Sequence, residues 1–269
     1  MKKERVKELK EDLIKENNKY TKILNNKDLP ETYKYLIDDL TQLLNQKFFF
    51  NNIKFLTLSM IEGTINNEQI FSLLYCDIDG LKFLNDTKGH QIGDKGIKVI
   101  ADIIKESIRT KREDFVDNFF LTKELKENIA IRVGGDEFII ILPNCSKELA
   151  ESKVANRIKN NIKNNPYHLG LSIGITDTKE VTLPPSLSDK DLKDYFQNII
   201  NLAEKRMYED KVKSKGNQDQ KHNHQIILNN NLRLCDSLGL DYYNEEDYLL
   251  LKKEMDLARN TLLQKEKKK

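Results

Sequence analysis

Two apolar runs, Ile129 to Val133 and Phe138 to Leu142, are separated only by Gly134, Gly135, Asp136 and Glu137. Short Ile-rich runs on either side of a Gly-Gly-Asp-Glu break predict a β-hairpin. Pro143 closes the second run. Everything else in the chain has to be arranged around that hairpin.

The neighbouring patterns supply its partners. Phe71 to Cys76 (FSLLYC) is short, apolar and bounded by polar residues, as a buried strand should be. Residues 169 to 176 (LGLSIGIT) predict another strand. A helix is expected over roughly 46 to 62, and a second after Asp94, with Ile97, Ile100, Ala101, Ile104 and Ile108 on its buried face. Ser146 is the expected N-cap of a third helix, which buries Ala150, Val154, Ile158 and Ile162. Leu192, Phe196, Ile199, Ala203 and Met207 mark a fourth. The order β, α, hairpin, α, β, α predicts an α+β fold. It is a two-layer, antiparallel sheet with helices on one face, palm-like and ferredoxin-related, of the kind found in polymerases and nucleotide cyclases.

The flanks differ in composition. Residues 1 to about 25 predict a charged helix with Val6, Leu9, Leu13, Tyr20 and Leu24 near heptad spacing. That stripe suits either a dimer seam or packing on the domain. Asn25 to Pro30 then break the pattern, and residues 110 to 128 are a charged, loop-rich insertion. After about Asn217 the chain turns polar, and a last helix begins near Asn244. The expected division is 1–37, an N-terminal helical segment; 38–217, the α+β domain; and 218–269, a polar linker and C-terminal helix.

Charge narrows the function. With 45 basic and 43 acidic residues the net charge is +2, so there is no global case for nucleic acid as a partner. No apolar run is long enough for a membrane span, and the charged start lacks an apolar leader core. Cys76, Cys145 and Cys235 are widely spaced and odd in number, as expected of free thiols in a reducing cytoplasm.

The chemistry-bearing residues fall in two places. In DIDGLKFLNDTKGHQIGD, residues 77 to 94, Asp77 and Asp79 lie two apart at the end of a strand and so share one face. Gly80 permits close backbone approach, Lys82 adds a cation, and Asn85, Asp86 and Asp94 add hydrogen-bonding groups. Strand-end carboxylates suit Mg²⁺ held jointly with phosphates. The second place is the hairpin turn, where Asp136 and Glu137 point carboxylates from a sheet edge. Asp77 beside Asp136 could hold two cations about 4 Å apart, as in a two-metal displacement.

Arg132 to Phe138 reads RVGGDEF, and with it the chain resembles the GGDEF domain family. Further family motifs follow in order. Asp77, Asp79, Lys82, Asn85, Asp86, Gly89, His90, Gly93 and Asp94 match the first-strand pattern, and Ser172, Ile173 and Gly174 match its SIG strand. Ala203, Glu204, Tyr208 and Lys211 match the late helix, and Asp38, Leu40, Thr41, Leu43 and Asn45 the N-terminal element. The resemblance implies a diguanylate cyclase, which condenses two GTP molecules into cyclic di-GMP and releases pyrophosphate. It implies Mg²⁺, with Mn²⁺ as a substitute, and a homodimer, because each domain holds one GTP. Asp77, Asp136 and the Ile78 carbonyl would bind metal. Asp136, Glu137 and Asp77 would be catalytic. Gly134 and Gly135 would admit the triphosphate, Lys82, Lys211 and Lys215 would neutralise phosphates, and Asn85 and Asp94 would read guanine.

Some positions depart from the family pattern. Gln42 replaces a glycine, and Gln46 and Lys47 replace arginines. Glu204 replaces Asp, and Lys215 stands in the usual Gly-Arg-Asn region as a less directional phosphate ligand than Arg. Leu125 and Asn128 occupy the ends of the family's inhibitory RxxD site, so product inhibition there is expected to be absent. The other readings are an inactive GGDEF domain serving as nucleotide receptor or scaffold, and a related cyclase making a mixed dinucleotide.

Overall fold

The computed structural model describes residues 2–23, 35–66, 69–109 and 125–215. The predicted break at 25–30, most of the 110–128 insertion, Gly216, Asn217 and the C-terminal helix lie outside the described residues, as do the side chains of 16–23 and of Lys215. The chain divides into units Met1–Ser214 and Lys215–Lys269, and the fold described is that of the first.

The strands are β1 (Leu44–Asn45), β2 (Phe71–Asp79), β3 (Ile129–Arg132), β4 (Glu137–Pro143) and β5 (Gly170–Asp177). They form one sheet in the order β1-β3-β4-β2-β5. The predicted hairpin is present as β3–β4, with Arg132 opposite Phe138. β2 runs antiparallel to both β4 and β5. β1 pairs parallel with β3, so the sheet is mixed rather than wholly antiparallel. A strand of two residues is too short for any hydrophobic period to announce it.

The helices are α1 (Lys2–Ile23), α2 (Gln46–Asn66), α3 (Leu81–Lys88), α4 (His90–Ile108), α5 (Lys147–Leu149), α6 (Asn156–Ile162) and α7 (Asp189–Lys215). Ser146 caps α5, its hydroxyl accepting from Leu149 N–H at 3.4 Å. A π-helical stretch, Ala150–Ala155, continues α5 into α6.

These helices cover both faces of the sheet, which corrects the two-layer expectation. On one face Leu74, Cys76, Ile78, Phe138, Ile140 and Leu142 pack with Ile97, Ile100 and Ile104 of α4 and Ile158 and Ile162 of α6. Strand side chains alternate, so Leu73, Tyr75, Asp77 and Ile139 look the other way. There α2 and α7 lie. Phe71 abuts Gly63 of α2, and the Phe49 and Phe196 rings join α2 to α7 with centroids 5.7 Å apart. A Cβ on Gly174 would lie 1.9 Å from the Ala203 carbonyl and 2.1 Å from Met207 N, so only glycine lets α7 rest on β5. The cause of the mistaken layer count is plain: the strands are apolar on both sides, which demands cover on both.

α1 packs on α2 of its own domain. Val6 is buried, and Lys10 pairs with Glu62 at 2.6 Å while lying over the Phe55 ring. For residues 2–15, whose side chains are described, this favours the packing reading of the stripe over the dimer seam.

Candidate functional site at the hairpin turn

Asp77 lies in register with Glu137, so the end of β2 and the β3–β4 turn share one end of the sheet. The turn is tied to the strand: Ile78 N–H donates to the Asp136 carbonyl and Val133 N–H to the Glu137 carbonyl, each at 3.0 Å. Neither Gly134 nor Gly135 takes a left-handed backbone, so the turn is not a tight two-residue one that requires glycine. A Cβ on Gly135 would meet nothing within 4 Å. The fold leaves open space there, which a ligand can use to approach the backbone.

Arg132 braces the turn. It donates to the Gly135 carbonyl at 2.9 Å and to the Asp38 carboxylate at 3.0 and 3.2 Å. Asp38 also accepts from the Thr41 amide and hydroxyl at 2.8 and 2.7 Å. Burial works to raise the Asp38 pKa, but the Thr41 bonds and the Arg132 charge outweigh it and hold Asp38 below the usual carboxylate range. From sequence, Asp38, Thr41 and Arg132 were only motif members. Nothing in their spacing says that an ion pair spans the 94 positions between Asp38 and Arg132.

The carboxylates at this end crowd one another. Burial pushes Asp77 up to about 6; the Lys211 charge opposes that, and Asp136 and Glu137 add to it. Lys211 of α7 donates to Asp77 Oδ1. The structure thus sets Lys211 on a carboxylate, where the sequence reading had it facing phosphate. Glu204 is part-buried and sits beside Glu137; burial first, then that neighbour, pushes it up to about 7. Glu204, where the family has Asp, keeps a carboxylate in the cluster on a longer side chain. Asp79 points to the same face, accepts from the Ser172 hydroxyl at 2.7 Å, and has its second oxygen buried without a partner.

The second group lies on the connection after β2. Gly80 is left-handed, with φ 86°, and starts α3. Asn85 on α3 turns its Oδ1 towards α4, and a Cβ on Gly93 would fall 1.8 Å from it. Gly93 is therefore required by the Asn85 side chain, whose Oδ1 is buried without a hydrogen-bond partner. Asp94 follows Gly93 on the exposed side of α4, and Lys82 is exposed on α3. Leu125 is buried, and Asn128 donates to the Ile108 carbonyl at 2.8 Å, capping the end of α4 without charge.

The residues fit a divalent cation. Asp77 is largely buried and lifted by two neighbouring carboxylates, which a cation would relieve. Among the described residues no group of three or more His, Cys, Asp or Glu is already disposed to hold an ion. Mg²⁺ takes one or two carboxylates, which Asp77 beside the Asp136–Glu137 turn could supply, and completes its shell with substrate phosphates and water.

A mixed sheet of this order, with helices packed on it and a carboxylate-bearing turn beside an inner strand, is an α+β palm of the nucleotide-cyclase type. The chain belongs to the GGDEF domain family: the family model described as "Diguanylate cyclase, GGDEF domain" matches residues 35–118 and 120–218. The chain is 27% identical over 182 residues to probable diguanylate cyclase DgcT of Escherichia coli, covering 65% of this chain and 33% of that protein. It is 30% identical over 174 residues to diguanylate cyclase A of Treponema denticola, covering 64% of this chain and 41% of that one. The chain thus spans well under half of either relative. The fold is shared with diguanylate cyclase SiaD of Pseudomonas aeruginosa, solved with its activator SiaC, at TM-score 0.51 and 19% identity over 78% of this chain and 70% of that one. It is also shared with the coiled coil and GGDEF domain of DgcB from Caulobacter crescentus, at TM-score 0.50 and 18% identity over 77% of this chain and 94% of that one. No helix among the described residues is long and apolar enough to cross a membrane.

Proposed function

We propose that this chain is a diguanylate cyclase that converts two GTP molecules into cyclic di-GMP and two pyrophosphates, working as a homodimer in the cytoplasm. The observation that carries this reading is the juxtaposition of Asp77 with the Asp136–Glu137 turn, fixed by the Asp77–Glu137 register and the Ile78–Asp136 bond.

Asp77, Asp136 and the Ile78 carbonyl hold the metal in this reading. Bound Mg²⁺, or Mn²⁺ in its place, supplies charge neutralisation along the triphosphate. The 3′-hydroxyl oxygen of one GTP forms a bond to the α-phosphorus of the other, the bond from that phosphorus to the bridging oxygen breaks, and pyrophosphate carries away the electron pair. Glu137 lies beside Asp77 and takes the hydroxyl proton, or orients the hydroxyl for attack. Gly134 and Gly135 let the triphosphate lie along the turn. Lys82, Lys211 and Lys215 offset phosphate charge, Lys211 exchanging its carboxylate partner for phosphate. Asp94 accepts from the guanine N–H groups, and the Asn85 amide pairs elsewhere on that edge. One domain holds one GTP, so two copies must face each other for the second bond to form. Positioning and charge stabilisation are the protein's main contribution. Leu125 and Asn128 carry no charge, which supports turnover without feedback through an RxxD site.

The test is product identification by mass after incubation of the purified chain with GTP and Mg²⁺, with ATP, and with an equal mixture, beside Asp136→Ala. Cyclic di-GMP from the wild type and none from the variant is the expected result. A mixed dinucleotide would overturn the guanine assignment to Asn85 and Asp94. No product from wild type at high protein concentration would overturn the cyclase reading in favour of a nucleotide receptor.

A further inference from the structure

Tyr75 is buried on β2, on the face shared with Asp77. Its cross-strand partner on β4 is Ile139, while Glu137 pairs with Asp77. Glu137 is therefore the diagonal neighbour of Tyr75, a separation of about 7–8 Å that an aromatic side chain can bridge. It does so: the Tyr75 hydroxyl donates to Glu137 Oε1 at 3.2 Å. A buried phenol needs a hydrogen-bond partner, and this one uses a candidate catalytic carboxylate.

The surroundings explain why Glu137 needs holding. Asp77 lies beside it on the neighbouring strand, and Glu204 of α7 is near enough to feel its charge. Both repel a carboxylate. α7 cannot draw back, because Gly174 seats it against β5 and Asp210 accepts from the β5 amide of Ile173 at 2.9 Å and from Lys159 at 2.6 Å. Glu137 thus stands between two other carboxylates, and the phenol supplies it with a neutral donor.

We propose that Tyr75 is a positioning residue for the cyclase reaction, its hydroxyl fixing the Glu137 carboxylate beside Asp77. This rests on the cyclase reading, and the experiment separates the two. The residue acts through Glu137 and touches no substrate. A phenylalanine keeps the ring and its packing and removes only the donor. A hydrogen bond to a charged group is worth enough to change a rate by about tenfold or more when lost.

The experiment uses the full chain and Tyr75→Phe. The first readout is kcat and KM for GTP with Mg²⁺. The second is Mn²⁺ binding, followed by electron paramagnetic resonance with a non-reacting αβ-methylene analogue of GTP present. We expect kcat to fall about tenfold with KM within about twofold, and Mn²⁺ binding to weaken about threefold or more. Melting temperature should stay within a few degrees, which separates positioning from folding. If kcat and Mn²⁺ affinity both stay within about twofold of wild type, the proposal is wrong. If wild type makes no cyclic dinucleotide, the cyclase reading fails, and unchanged Mn²⁺ binding in Tyr75→Phe would then overturn the positioning role as well.

Discussion

The two ends of the sheet hold the same kinds of side chain and treat them oppositely. At the Asp177 end of β5, Glu180 accepts from both Arg206 guanidinium nitrogens at 2.6 and 2.8 Å, from Lys147 at 2.9 Å, and from the Thr176 hydroxyl and the Asp177 amide at 3.2 Å each. Those bonds, the Arg206 bond foremost, pull Glu180 down to about 2. At the Asp77 end, burial pushes Asp77 up to about 6 and Glu204 up to about 7. One end is closed by its own cations and anchors α7. The other brings Asp77, Glu137 and Glu204 together, with Lys211 on Asp77. A fold can tolerate such an end when most of its stability comes from elsewhere, here from the apolar layers on both sides of the strands. Acidic residues at the two ends thus differ in the direction of their shift, down where Arg206 binds Glu180 and up where burial dominates at Asp77 and Glu204.

The largest expected effect lies at the open end. Asp77→Asn should reduce cyclic di-GMP formation by about a thousandfold or more, because a metal-site carboxylate is lost, while the chain stays folded. Product assay beside thermal melting checks both halves. The closed end should show the reverse. Glu180→Gln should leave turnover per folded chain near wild type but lower stability by about 1–3 kcal/mol, measured by urea unfolding at neutral pH. Turnover falling with it would mean the two ends are coupled.

Acid should separate the two ends further. The folded pKa of Glu180 is lowered from 4.5 to about 2, so its contribution is present above 4.5 and is lost as pH falls towards 2. The folded pKa of Asp77 is raised from 3.8 to about 6, so its contribution is present below 3.8 and is lost as pH rises through 6. Urea midpoints across pH for wild type and Glu180→Gln should therefore converge as pH falls from 4.5 towards 2. A constant gap between them would remove Glu180 as the cause.

The smallest effect concerns Gln42, which stands where the family has glycine and adopts a left-handed backbone with φ 58°. A side chain is strained there. Gln42→Gly should raise stability by up to about 1 kcal/mol, read as a rise of a few degrees or less in melting temperature.

Much of this was legible in the sequence. The hairpin, β2, β5 and the buried stripes of α4, α6 and α7 followed from apolar spacing, because each buries a face that its own period defines. The motif residues could be named because the resemblance supplied them. What escaped notice depends on contacts between distant segments. The parallel pairing of β1 rests on two residues. The close seating of α7 on β5 rests on Gly174, whose lack of a side chain carries no sign of the helix against it. The Asp38–Arg132 brace and the Tyr75–Glu137 bond each join residues far apart in the chain. The π-helical stretch 150–155 leaves Ala150, Val154 and Ile158 buried, so apolar spacing alone could not reveal it.

In the proposed reaction the Asp77 end becomes a working site only when two copies meet over bound GTP. The most direct measurement is the rate of cyclic di-GMP formation per chain across a wide range of chain concentrations, with GTP and Mg²⁺ saturating. The rate per chain should rise with concentration and then level off, and it should be lost in Asp77→Asn throughout. A rate per chain independent of concentration down to dilutions where the protein is shown to be monomeric, or product formation that survives Asp77→Asn, would contradict it.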